Sequence, residues 1–107
     1  MFDDIDLPYF VHNICLDKNE LVKSTTNEFY YHFDELLLTL THNNEQHDVV
    51  LRVIHSAIGT YELMGFKGLA KLLRNIEELY KQYGYVSKKD LLMLEVTREA
   101  IISQIKI

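Results

Sequence analysis

The chain holds one cysteine, one proline, four glycines and no tryptophan in 107 residues. A lone thiol, Cys15, excludes an internal disulfide and lacks the second sulfur that the common structural zinc sites use. Its neighbours in FVHNICL are apolar, so Cys15 is expected as a small buried residue. With so few breakers, the chain is expected to form long regular elements. Long hydrophobic runs are missing too, and no segment approaches the roughly 20 apolar residues of a membrane helix. The opening MFDDIDLPYF carries acids where a secretory signal carries positive charge, so a cytoplasmic protein away from the membrane is expected. Basic residues are the minority, 11 against 16 acids for a formal charge of −5. They form no dense stripe, which argues against a nucleic-acid partner.

What is present is helical periodicity. One domain spanning residues 1–107 is expected at this length. After a short apolar segment, Leu7 to Leu16, that suits a small extra helix, the first long helix is predicted from about Asp17 to Thr41. Asp17 and Glu20 there could form a capping box. Val22, Thr26, Phe29, Phe33, Leu36 and Leu40 recur at spacings of four and three, the seam of a helix packed on others. THNN interrupts the pattern, and Asn43 or Asn44 can cap a second long helix running to about Met64. GFKG separates it from a third, Leu69 to Tyr83, whose Leu69, Leu72, Leu73, Ile76, Tyr80 and Tyr83 share a side. Gly84 stops that helix. Ser87 and Asp90 then open a last helix carrying Leu91, Leu94, Ala100, Ile101 and Ile105. The expected fold is all-α: an antiparallel up-and-down four-helix bundle with a short extra N-terminal helix.

The second long helix contains HSAIGTYELMG, in which glycines follow His55 by four and ten residues. A glycine inside a helix costs about 1 kcal/mol relative to alanine. Either it clears space beside a reactive side chain, or the helix tolerates one glycine and ends at the next. On a wheel of about 100° per residue, Val50, Val53, Ala57, Tyr61 and Met64 form a core stripe with Ile54 at its edge. The opposite side holds Asp48, Leu51, Arg52, His55, Ile58, Gly59 and Glu62. His55 is therefore expected to face solvent, with the aliphatic Leu51 and Ile58 on one flank and Arg52 and Gly59 on the other. That combination reads as a docking surface with a reactive centre.

The run HSAIGTYELMGFKGLAKLLRNIEEL resembles the histidine-containing phosphotransfer domain of bacterial phosphorelays. The matching positions are His55, Gly59, Gly65, Leu69, Leu72, Ile76 and Glu77, and the fragment is particularly similar to the phosphotransfer domain of chemotaxis histidine kinases. The resemblance implies a four-helix bundle with His55 as phosphoacceptor midway along the second long helix. It also implies that Glu77 hydrogen-bonds and orients the imidazole, with Arg74 close by. One position departs from the family: Ile58 stands where a lysine usually does, three residues after the histidine. That leaves three outcomes open: slower transfer, compensation by Arg52 or Arg74, or a member that binds receivers without carrying phosphate. Glu62, on the His55 face, would repel a phosphoryl group unless it points away.

Neutral imidazole is a good nucleophile near neutral pH, and a carboxylate holding one ring nitrogen makes the other the attacker. The implied function is a histidine phosphocarrier that accepts a phosphoryl group on His55 from a receiver-domain aspartate, or from a kinase, and passes it on. Gly59 would let a receiver loop approach the ring. The implied partners are a response-regulator receiver domain, a histidine kinase, or both, with the chain itself a monomer. The alternative is a phosphotransfer-like adaptor that binds such domains without carrying phosphate. No glycine-rich phosphate loop, serine–histidine–acid set or HExxH pair is present, so neither a cofactor, a resident metal nor an enzymatic activity of its own is expected. His12, His32, His42 and His47 are read as surface or boundary residues.

Overall fold

Asp6 caps the first helical turn in a computed structural model that describes residues 6–42 and 46–105. Its carboxylate accepts from the Tyr9 amide at 3.1 Å, and Pro8 sits in the first turn, where its missing N–H costs nothing. The resulting short helix α1, Leu7–Tyr9, runs into a π turn, Phe10–Ile14. Four long helices follow: α2, Asn19–Thr41; α3, His47–Leu63; α4, Lys67–Tyr83; and α5, Lys88–Ile105. The described residues are all-helical and contain no strand. No helix among them is long and apolar enough to cross a membrane.

The most extensive helix contact is between α3 and α4; α2 meets both α3 and α5, and α4 meets α5. The buried apolar residues join into one cluster. Phe29, Phe33, Leu36 and Leu40 of α2 enter it, as the seam predicted, with Val22 packed at its edge. Aromatic rings tie the N-terminal segment to the rest. The Phe66 ring lies 5.3 Å from Phe10 and 4.9 Å from Phe29, and Phe29 lies 5.3 Å from Tyr61. These are edge or tilted contacts of the kind aromatic quadrupoles favour. Burial pushes the Tyr61 hydroxyl up to about 12.

Several helix ends differ from the sequence expectation. Asp17 does not cap α2; Lys18 occupies that position without a side-chain cap. Leu16 and Asp17 instead have positive φ, 54° and 59°, and the Asp17 carboxylate pairs with the His12 imidazole. Residues 15–17 turn between the π turn and α2, and the Asp17 carboxylate in that turn is engaged by His12 rather than by the α2 amides. Asn43 and Asn44 lie outside the described residues, and Gln46 precedes α3. Tyr83 is exposed rather than facing the core, because α4 is in its last turn there. Gly84 does stop α4, with φ 77° and its amide on the Tyr80 carbonyl at 2.8 Å. Ser87 caps α5, its hydroxyl accepting from the Asp90 amide at 3.1 Å.

Gly65 ends α3 in a Schellman turn. Its φ is 87°, the Phe66 amide reaches back to the Tyr61 carbonyl at 2.9 Å, and its own amide reaches the Glu62 carbonyl at 3.1 Å. The Gly65 carbonyl then accepts from the Asp6 amide at 2.8 Å, which docks the N-terminal segment against this corner. A side chain at position 65 would meet Tyr9 Cδ1 at 3.2 Å and the Asp6 carbonyl at 3.3 Å. Gly65→Ala is therefore expected to lower stability by about 1–2 kcal/mol in urea unfolding, from the backbone conformation alone. An unchanged midpoint would contradict this account of the corner.

Candidate functional site

The site is built on the seam between α3 and α4. Burying Val50, Ile54, Ile58 and Tyr61 turns the neighbouring positions of α3 outward. His55 lies one step from Ile54, and its side chain is 81% exposed. Across the seam, α4 buries Leu69, Ala70, Leu73, Ile76 and Tyr80, which brings Glu77 to the border of the apolar stripe. The Glu77 side chain is only 13% exposed, and its Oε2 lies 3.3 Å from His55 Nδ1. Facing a carboxylate, Nδ1 carries the ring proton and donates it. Nε2 keeps its lone pair, and no described residue hydrogen-bonds to it.

Further along the same face, Gly59 is exposed, and a Cβ built there meets nothing within 4 Å. Beyond it, Glu62 pairs with Arg74 of α4, both about half exposed. His55 with Glu77 and Glu62 with Arg74 thus form two rungs across the seam. Residue numbers rise along α3 as they fall along α4, the register of an antiparallel pair. The two glycines of HSAIGTYELMG therefore have different uses. Gly65 ends the helix in a conformation that disfavours side chains, whereas Gly59 is an ordinary helical residue beside open space.

The remaining candidate residues divide. Ile58 is not on the surface. It is 6% exposed and belongs to the core, which corrects the wheel assignment. The physical reason is the extensive contact with α4, which draws the buried stripe of α3 toward Ile54 and Ile58 and leaves Val53 and Ala57 only partly covered. Leu51 is half-buried against the same cluster, so neither aliphatic residue offers a free apolar patch. Arg52 is exposed but faces the opposite flank of α3, where it lines a groove with Ser56, away from the Glu62–Arg74 rung.

That groove had no signal in the sequence. It runs between α2 and α3, encloses about 710 Å³, and carries Glu28, His32 and Glu35 on its α2 wall. Periodicity names the face a helix buries, but not how closely two helices approach. Buried Arg98 was missed for a related reason. It is 8% exposed, its guanidinium lies 4.4 Å from the Tyr30 ring centre, and it pairs with Asp34 of α2. A lone arginine on an amphipathic helix reads as surface until a carboxylate and a ring from another helix receive it.

The other histidines have local roles. His12 pairs with Asp17, His42 Nδ1 donates to the Leu38 carbonyl at 2.7 Å, and His47 packs edge-on to Tyr80 at 5.3 Å. Among the described residues no cluster of three or more histidine, cysteine or acidic side chains could hold a metal ion. Cys15 is fully buried, as expected, and burial pushes its thiol up, which leaves it a poor nucleophile.

No family model, curated protein or solved structure matches the chain.

Two measurements test the geometry of the site. Gly59→Ala fills open space on an exposed helix, so stability is expected to rise by about 0.5–1 kcal/mol in urea unfolding; a fall would show that the position is crowded. Glu77→Ala removes the acceptor at Nδ1. Nitrogen-15 spectra of His55 at alkaline pH should then show the ring proton moving in larger share to Nε2, and an unchanged tautomer ratio would mean that Glu77 does not orient the ring.

Proposed function

We propose that this chain is a histidine phosphocarrier of a two-component phosphorelay, of the histidine-containing phosphotransfer type. The supporting observation is the exposed His55 imidazole whose Nδ1 is held by a largely buried carboxylate from the next helix. The neighbour order of the long helices, α2 to α3 to α4 to α5 and back to α2, suits an antiparallel up-and-down four-helix bundle with the N-terminal turn as an addition. In this reading the protein acts in the cytoplasm as a monomer, and its partners are receiver domains, histidine kinases, or both.

The chemistry is a single displacement at phosphorus. The Nε2 lone pair of His55 attacks the aspartyl phosphate of a receiver in line. The Nε2–P bond forms as the P–O bond of the acyl phosphate breaks, and the aspartate leaves as a carboxylate. The imidazole ring gains positive charge in this step, and the Glu77 carboxylate at the Nδ1 proton balances it. Passing the group to a second receiver reverses the bond changes. The partner supplies the electrostatic apparatus around the phosphoryl oxygens, so this chain needs no nucleotide site. The open space at Gly59 leaves room for the partner's loop to reach the ring.

A second reading is an adaptor that binds receivers or kinases without carrying phosphate. The burial of Ile58 favours it, since that position supplies no cation to the phosphoryl group, and so does the carboxylate of Glu62 on the His55 face. Incubation with phosphorylated receiver domains separates the two. The phosphocarrier acquires acid-labile phosphate mapped by mass to His55, and His55→Gln loses the label while its helical spectrum is unchanged. Label persisting in that variant would overturn the assignment, and tight receiver binding with no transfer over hours would select the adaptor.

A further inference from the structure

The Glu62–Arg74 rung stands beside the reactive ring with only a glycine between them. His55, Gly59 and Glu62 follow one line along α3, four and three residues apart, so about 10 Å of helix separates the first from the last. On α4, Arg74 lies three residues from Glu77, one turn or roughly 5 Å from the side chain that holds the ring. The Arg74 guanidinium donates to Glu62 Oε2. A Cβ at position 59 would meet nothing within 4 Å, so the surface at Gly59, between Glu62 and the imidazole, is open.

Glu62 also has a local reason to hold a cation. It sits in the last turn of α3, at the negative end of the helix dipole, where an acid is unfavourable. Arg74 offsets that charge while the ring is bare. A phosphoryl group on Nε2 changes the competition. It brings about 1.5 to 2 negative charges and three acceptor oxygens, against one charge on Glu62, and a guanidinium pairs well with such a fork. The other candidate cation on the α3 surface, Arg52, faces the groove on the far flank.

We infer that Arg74 is the residue that pairs with the phosphoryl group on His55, held in reserve by Glu62 and able to swing to it through the gap at Gly59. Glu62 is then a positioning residue that sets how readily the cation is released. The inference rests on His55 being the phosphoacceptor. It gives Glu62 the part of a brake on transfer, and Arg74 the part of the cation that position 58 does not supply.

The test uses phosphoramidate as a small donor, so that receiver docking does not enter. In that reaction the phosphoramidate P–N bond breaks, ammonia leaves and the Nε2–P bond forms, which phosphorus NMR follows directly. Glu62→Gln is expected to speed formation of phosphohistidine about two- to fivefold at low salt, and Arg74→Gln to slow it by a similar factor, the range of exposed charge pairs. Arg74→Lys should fall between Arg74→Gln and the parent, because it keeps charge without the fork. The double variant should match Arg74→Gln if Glu62 acts by holding Arg74; direct repulsion of the phosphoryl group by Glu62 would instead make the double variant faster than Arg74→Gln. All differences should shrink between about 0.05 M and about 1 M salt, which a merely structural effect would not do. A gain from Glu62→Gln that survives in the double variant would overturn the inference. So would equal rates of His55 phosphorylation in the parent and its four variants, which would leave the phosphocarrier reading standing. Phosphate absent from His55 in every protein, the parent included, would overturn both.

Discussion

The site depends on the packing seam between α3 and α4. Ile54 and Ile58 must leave water, and each contributes about 2–3 kcal/mol when fully buried. A helix turns 100° per residue, so hiding Ile54 and Ile58 holds His55 and Gly59 at the rim whatever those residues do themselves. The hydrogen bond from His55 to Glu77 is weaker than the packing beneath it. With the imidazole mostly in water, such a pair contributes about 1 kcal/mol or less. Core burial therefore places the polar pair, and the pair is free to serve chemistry without holding the fold together.

The other side of α3 is built differently. Its contact with α2 is less extensive, and the gap is a groove walled by acids on α2 and by Arg52 and Ser56 on α3. On its far flank α2 is held to α5 by Arg98, which lays its guanidinium on Tyr30 and pairs with Asp34. A buried arginine is costly unless its charge and its donors are met. Here the carboxylates of Asp34 and Glu99 and the rings of Tyr30 and Phe33 meet most of that demand, while Nε remains without a hydrogen bond. The N-terminal segment closes a third side through Phe10 on Phe66 and the Asp6 amide on the Gly65 carbonyl.

Much of this was legible because helical periodicity and capping are local. The α2 seam, the stop at Gly84, the cap at Ser87, the burial of Cys15 and the exposure of His55 all follow from spacing and residue type within a turn or two. The failures share a physical cause. The wheel put Ile54 at the edge of the α3 stripe and Ile58 on the opposite side, but the centre of that stripe depends on which neighbour α3 packs against, and that neighbour is chosen by the whole set of helices. Asp17 has the chemistry of a cap, but it lies in a turn with positive φ and pairs with His12. A wheel cannot see either outcome, because both are decided by residues distant along the helix axis or outside the helix.

By itself the sequence determined an all-helical chain, the boundaries of four long amphipathic segments to within a few residues, and a histidine on the polar side of the second. These are consequences of side-chain size and polarity repeating every three to four residues, and they need no partner to be true. The resemblance in the sequence implied Glu77 as the carboxylate at the imidazole, but only the tertiary structure brought the two within 3.3 Å, paired Arg74 with Glu62 and made Ile58 core. Those facts depend on how far and in what register α3 and α4 slide past one another. That register is set by the joint packing of both helices, because no single helix contains the surface against which it is measured.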